Sequence, residues 1–224
     1  MVDDLLGRWV RLHPRDVDGR ARAAGVDLLS RHSEPHRRYH DVRHLAEVLD
    51  GVDELAVHAH DPDLVRLAAW FHDAVYDVRA PAGTSEGASA DLAASVLTAL
   101  GHPGVDAVVR LVRLTATHDP AVDDADGQVL CDADLRVLAA DSARYAAYAR
   151  DVRAEYAHAA DADFTAGRAA VMSALLAHDR LYATDTAHQR WEARGRANVI
   201  AELAHLIGGQ RAGPPSPGQA DPAR

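Results

Sequence analysis

The stretch "LAAWFHDAVYD", residues 67–77, sets His72 and Asp73 side by side in a run that is otherwise apolar. The dipeptide itself carries little, since it recurs at 40–41, 60–61, 118–119 and 178–179 in a chain rich in both residues. The setting carries more. A buried carboxylate needs a compensating cation, and a bound metal ion is one. Two further clusters offer similar atoms. His40 and His44 stand four apart in "RRYHDVRHLAEVLD" (37–50), and a helix there would place them on one face. Asp132 and Asp134 in "VLCDADLRVLAAD" lie against Leu135, Val137 and Leu138, at the edge of another apolar segment. Residues two apart on a helix point in different directions, so the two would not both join His44 and His72, and the other is left as an N-cap or an acceptor behind the site. Nitrogen and oxygen ligands of this kind suit a divalent ion such as Mn, Fe, Co, Ni or Zn, with too little sulfur for a zinc finger. His40 and His44 also admit a plainer reading, as polar positions at a helix start.

Helices must position these groups. Apolar residues recur at threes and fours in "LLGRWVRL", "VRHLAEVLDGVDELAVHA", "LVRLAAWFHDAVY", "ADLAASVLTAL", "VDAVVRLVRLTATH", "ARYAAYARDVRAEYAHA", "RAAVMSALLAH" and "HQRWEARGRANVIAELAHLI". Asp61-Pro62 reads as an N-cap followed by proline at the first helical position, "GHPG" (101–104) as a break, and Asp141 and Asp163 as caps. No segment alternates long enough for a strand, so the expectation is an all-α fold of eight to ten helices. "APAGTSEG" (80–87) is the most loop-like internal stretch. Residues 1–207 read as one helical domain, and the Gly/Pro-rich remainder, 208–224, as a disordered tail.

Composition narrows the chemistry. The chain has 224 residues, two Ile and two Phe, so its core must be built from Ala, Val and Leu. It contains no lysine, which removes Schiff-base, P-loop and Ser-Lys mechanisms. A net charge of −10 argues against nucleic-acid polymers and anionic membranes as partners. One cysteine, Cys131, forbids an internal disulfide and reads as a small buried hydrophobe in a cytoplasmic protein. His58, His60 and the pair His178-Asp179 read as helix-end residues. Arg37, Arg38 and Arg43 read as a solvated face or, beside His40, as a phosphate-binding group.

The order His44, His72-Asp73, Asp134 resembles the H…HD…D signature of the HD superfamily of metal-dependent phosphohydrolases, and "YHDVRH" resembles the Y-H-x-x-x-H opening of some members. A small bacterial group of predicted HD phosphohydrolases is similar over about residues 25–207. There the likeness extends to "FHDAVYD" (71–77), Glu86 with Ser89 and Ala90, Thr115 with His118, "DADL" (132–135), and Trp191, Glu192, Arg196 and Asn198. The resemblance implies a helical bundle around one metal pocket, with His44, His72, Asp73 and Asp134 as ligands of a divalent ion, Mg among the possibilities. It implies His40 as the acid that protonates the leaving oxygen or holds the phosphate. Glu86 is either a water-orienting base or a solvated carboxylate, and His118 either an extra ligand or a phosphate donor. Arg43 is a phosphate contact. The implied reaction is hydrolysis of a phosphoester in a small phosphorylated metabolite such as a nucleotide. A di-iron oxygenase and a non-catalytic metal-stabilised nucleotide sensor stand as alternatives.

Overall fold

A computed structural model describes residues 2–211. Among them are ten α-helices, two short 3-10 turns and no strand. The helices are α1 (Val2–Arg11), α2 (Arg20–His32), α3 (Val42–Leu55), α4 (Pro62–Phe71), α5 (Thr84–Ala99), α6 (Val105–Leu114), α7 (Ala125–Asp134), α8 (Ser142–Glu155), α9 (Asp161–Ala177) and α10 (Asp185–Arg211). The fold is all-α. Among the described residues, no helix is long and apolar enough to cross a membrane.

Helix starts follow side-chain chemistry. The Asp41 carboxylate accepts from the amides of Arg43 (2.8 Å) and His44 (3.2 Å) and so opens α3. Asp61 does the same for α4 with Pro62 behind it, and Asp141 for α8. Asp163 does not cap; it lies inside the first turn of α9, where a carboxylate still favours the positive helix end, and Ala160 occupies the cap position. α5 begins at Thr84, so half of the expected 80–87 loop is helical, and the turn is made by Gly83 at φ 78°. α2 and α7 are helices that periodicity did not single out, because their apolar residues are sparse or interrupted by Gly and Asp. α10 continues to Arg211, past the boundary expected at 207. The rest of the expected disordered tail, 212–224, lies outside the described residues.

The larger core packs Trp9, Trp70 and Phe71 edge to face, with Trp9 and Trp70 centroids 5.3 Å apart. A second cluster gathers Tyr39, Leu138, Tyr145, Tyr148, Val152, Met172 and Val199, and Leu135 and Leu175 touch both. Two glycines allow close approaches. A Cβ on Gly25 would fall 2.4 Å from the Trp9 ring, and one on Gly51 would fall 3.0 Å from Ala133 Cβ. The second contact matters for the site. It lets α3 lie directly on the end of α7, and so brings His44 to Asp134.

Candidate metal centre

His72 is the C-cap of α4, and Asp73 lies just beyond the helix. The pair is therefore not inside a helix, as the apolar run suggested. The run stays apolar because the turn that follows is buried too: Ala74 donates to the Phe71 carbonyl, and Ser89 Oγ binds both the amide and the carbonyl of Val75. The His72 ring is fixed by its Nδ1, 2.7 Å from the Ala69 carbonyl. A carbonyl only accepts, so Nδ1 carries the hydrogen and Nε2 presents a lone pair when the ring is neutral.

That lone pair faces three other ligand atoms. His44 Nε2 stands 3.2 Å from His72 Nε2, 3.1 Å from Asp134 Oδ1 and 3.4 Å from Asp73 Oδ2. His72 Nε2 stands 3.1 Å from Asp73 Oδ2 and 3.6 Å from Asp134 Oδ1. Ligands about 2.1 Å from a zinc-like ion at tetrahedral angles stand about 3.4 Å from one another, so these spacings suit one ion. His44, His72 and Asp134 each bring a ligand atom within 4.8 Å of the others. A count of hydrogens makes the same point. His44 Nε2 carries at most one, yet it meets three acceptors within 3.4 Å. A cation satisfies all of them at once.

The electrostatics agree. Both imidazoles are buried, which alone would drive them neutral, but the carboxylates of Asp134 and Asp73 outweigh burial and raise both. Burial likewise opposes ionisation of Asp73 and Asp134, and the facing histidines hold both well below the usual carboxylate range. Two buried imidazoliums 3.2 Å apart repel each other. One divalent ion delivers the same charge without that repulsion.

His40 is not on the α3 face. It precedes the Asp41 cap, and its ring reaches the site from the loop, 5.6 Å from the His44 ring. A buried carboxylate that the sequence did not point to holds it there. Glu155, the last residue of α8, accepts from the backbone amides of Arg38 (2.7 Å), Tyr39 (2.8 Å) and His40 (3.0 Å) through Oε1. Its Oε2 accepts from His40 Nδ1 (2.7 Å) and the Tyr76 hydroxyl (2.8 Å). Burial would raise this carboxyl, but the His40 hydrogen bond and the amides bring it down to about 2. His40 Nδ1 is thus committed to Glu155, and Nε2 is left to exchange a proton.

The remaining candidates divide. His118 reaches the centre: its Nε2 lies 2.8 Å from Asp134 Oδ2, on the carboxylate's far side from the histidine pair, and its backbone takes the left-handed conformation at φ 50°. Asp132 faces away, accepting from Ala183 N (2.7 Å), Thr184 N (2.8 Å) and Thr184 Oγ1 (2.7 Å) ahead of α10. Glu86 lies half-buried in the first turn of α5, outside the metal-ligand group. Arg43 is paired to Asp151 at 2.9 Å. Arg37 is not a solvated residue. It is buried, and it donates to the carbonyls of His40 (2.9 Å), Asp73 (2.8 Å) and Ala74 (3.4 Å), because those carbonyls have no helical partner. His58 is partly buried as well, bonded to Thr186 Oγ1 at 2.6 Å. Glu192, Arg196 and Asn198 brace backbone groups at 178–182 and 138–140 and belong to the scaffold.

Arginines missed by the sequence reading do approach the centre. Arg136, Arg144, Arg190 and Arg194 line a cavity of about 370 Å³ that His44 and Asp134 also line. Arg144 grips Glu47 bidentately, while Arg136 and Arg190 share Glu54. They come from three separate segments, so no local pattern announces them.

The chain matches no family model, no curated protein and no solved structure.

Proposed function

We propose that the protein is a metal-dependent phosphohydrolase of the HD type, acting on a phosphoester of a small metabolite such as a nucleotide. The observation that carries the reading is the convergence of His44, His72, Asp73 and Asp134 on one point, beside a His40–Glu155 pair. A divalent ion bound there supplies a Lewis acid for a phosphoryl oxygen and an acidified water. The chain does the rest. His72 is held in the ligating tautomer by the Ala69 carbonyl, and His118 orients Asp134. Glu155 fixes the His40 ring through Nδ1, so that Nε2 faces the departing oxygen as its proton donor. Arg43 serves as a phosphate contact only on release from Asp151. The oxygenase alternative has less support: His102 sits in the α5–α6 turn beside His13, and among the described histidines His118 is the one that bonds a carboxylate of the centre, while His40 Nδ1 is held by Glu155.

The test is phosphate release from a panel of phosphomonoesters with Mn, Co, Ni, Zn and Mg, for wild type and His40→Ala, beside elemental analysis of both. The expected result is turnover with at least one metal, and retained metal but a loss of about 10²–10⁴-fold in the variant. The loss should be smaller on an aryl ester, whose leaving group needs less protonation. No release from any ester with any metal refutes the hydrolase reading, and metal lost with His40 would make it a ligand.

A further inference from the structure

Beside His40 lies a cavity of about 460 Å³ that none of the candidate metal ligands lines. Its walls are Tyr39, Tyr148, Tyr156, Phe164 and Val171, with His40 as the wall shared with the site. It exists because α9 stands away from α8. Along 17 residues α9 buries only Met172, leaning on α10 instead. Aromatic rings line the gap: Tyr39 and Tyr148 meet edge to face with centroids 4.6 Å apart, and Tyr156 and Phe164 are tilted, 5.9 Å apart.

The charges say what the cavity excludes. Its one arginine, Arg168, is held by both oxygens of Glu202 at 2.8 and 3.2 Å. Asp163 stands exposed at the rim, and Glu155 lies behind His40. Among the described residues lining it, no cation is free to meet a second phosphate, and two carboxylates would repel one. We propose that this cavity is the leaving-group subsite, and that it takes the uncharged alcohol of a phosphomonoester bearing a flat aromatic or apolar group. The proposal rests on the hydrolase reading above. In that reaction water adds to phosphorus, the ester P–O bond breaks, and the departing oxygen takes its proton from His40. The group attached to that oxygen must therefore lie against His40, and the aromatic cavity is what adjoins it there.

Gly167 provides the test. It lines the cavity, and a Cβ added to it meets nothing within 4 Å, so the backbone there accepts Gly167→Phe, whose ring is to occupy the space. Binding of benzylphosphonate and methylphosphonate to the metal-loaded full chain would be measured by titration calorimetry. Wild type should bind the benzyl compound at least tenfold more tightly, since a ring buried among apolar side chains is worth that much. Gly167→Phe should lose most of the preference and keep its methylphosphonate affinity. Should that variant fail to fold, Val171→Asp, at a half-exposed wall position, should do the same. Equal affinities in wild type, or a preference that survives both substitutions, overturn the subsite and leave the hydrolase standing. Binding of neither phosphonate, together with no phosphate release from any monoester, overturns both.

Discussion

Glu155→Gln isolates the buried carboxylate that holds His40. The substitution keeps size and shape but cannot keep the bonding. A glutamine oxygen can still accept from the amides of residues 38–40, yet its NH2 then faces His40 Nδ1 and the Tyr76 hydroxyl, where the carboxylate accepted from both. The cost follows from proton linkage. The Glu155 carboxyl has a pKa of about 2 in the folded protein, against an ordinary 4.5. A difference of about 2.5 units is worth about 3 kcal/mol at pH 7. The folded-state value is depressed, so this stability is present above pH 4.5 and is lost as pH falls toward 2. The same linkage leaves about 2 kcal/mol at pH 3.5 and less than about 1 at pH 2.5. Urea denaturation followed by tryptophan fluorescence, for wild type and variant at pH 7, 5 and 3.5, measures the gap directly. It should close by about 1 kcal/mol or more across that range. A gap that is the same at every pH would refute the reasoning, because the five bonds would then favour the charged carboxyl no more than the protonated one. Metal content should be unchanged at pH 7, since no atom of Glu155 faces the ion.

Two further substitutions separate ligands from supports. Asp134→Ala should abolish binding of the ion in calorimetric titration, whereas Asp132→Ala should keep it and destabilise the fold by about 2–4 kcal/mol by leaving the buried Ala183 and Thr184 amides unpaired; the reverse order would show that the centre lies on the other side of α7. Gly51→Val should weaken both folding and the site, because α3 must move off Ala133 and carry His44 with it. A drop in thermal midpoint with unchanged metal affinity would show that the α3–α7 spacing does not set the His44–Asp134 distance.

The all-α fold was legible because helices announce themselves locally. Threefold and fourfold spacing recovered most of them, and Asp41, Asp61 and Asp141 act where their type favours a helix start. What misled was burial. The apolar run around His72-Asp73 is as hydrophobic as a helix interior, but burial does not distinguish a helix from a packed turn, and here Ser89 and Arg37 supply the hydrogen bonds that a helix would have made. Glu155 was illegible for a different reason. It is separated from His40 by 115 residues and lies in a segment that reads as an ordinary amphipathic helix, so nothing nearby records the amides it serves. Arg37 sits beside Arg38 in the sequence, yet one is buried and the other exposed. The late Glu192, Arg196 and Asn198, quoted as part of the family-like pattern, hold chain segments together.

Arg37 and Glu155 show how one network sets both stability and geometry. The loop before α3 and the turn after α4 each leave backbone groups without helical partners. Arg37 takes the carbonyls of His40, Asp73 and Ala74, while Glu155 takes the amides of residues 38–40 and the Tyr76 hydroxyl. A neutral side chain would leave several of these buried groups unmet, each at a cost of about 1–3 kcal/mol. The loop that carries His40 and the turn that carries Asp73 are thus tied to each other by a cation and an anion that never touch the proposed metal position. Losing either charge would weaken the tie between loop and turn, while the other would still hold part of it. The separation between His40 and the histidine–aspartate cluster is therefore a property of this pair of buried charges, as much as of the helices that carry the cluster.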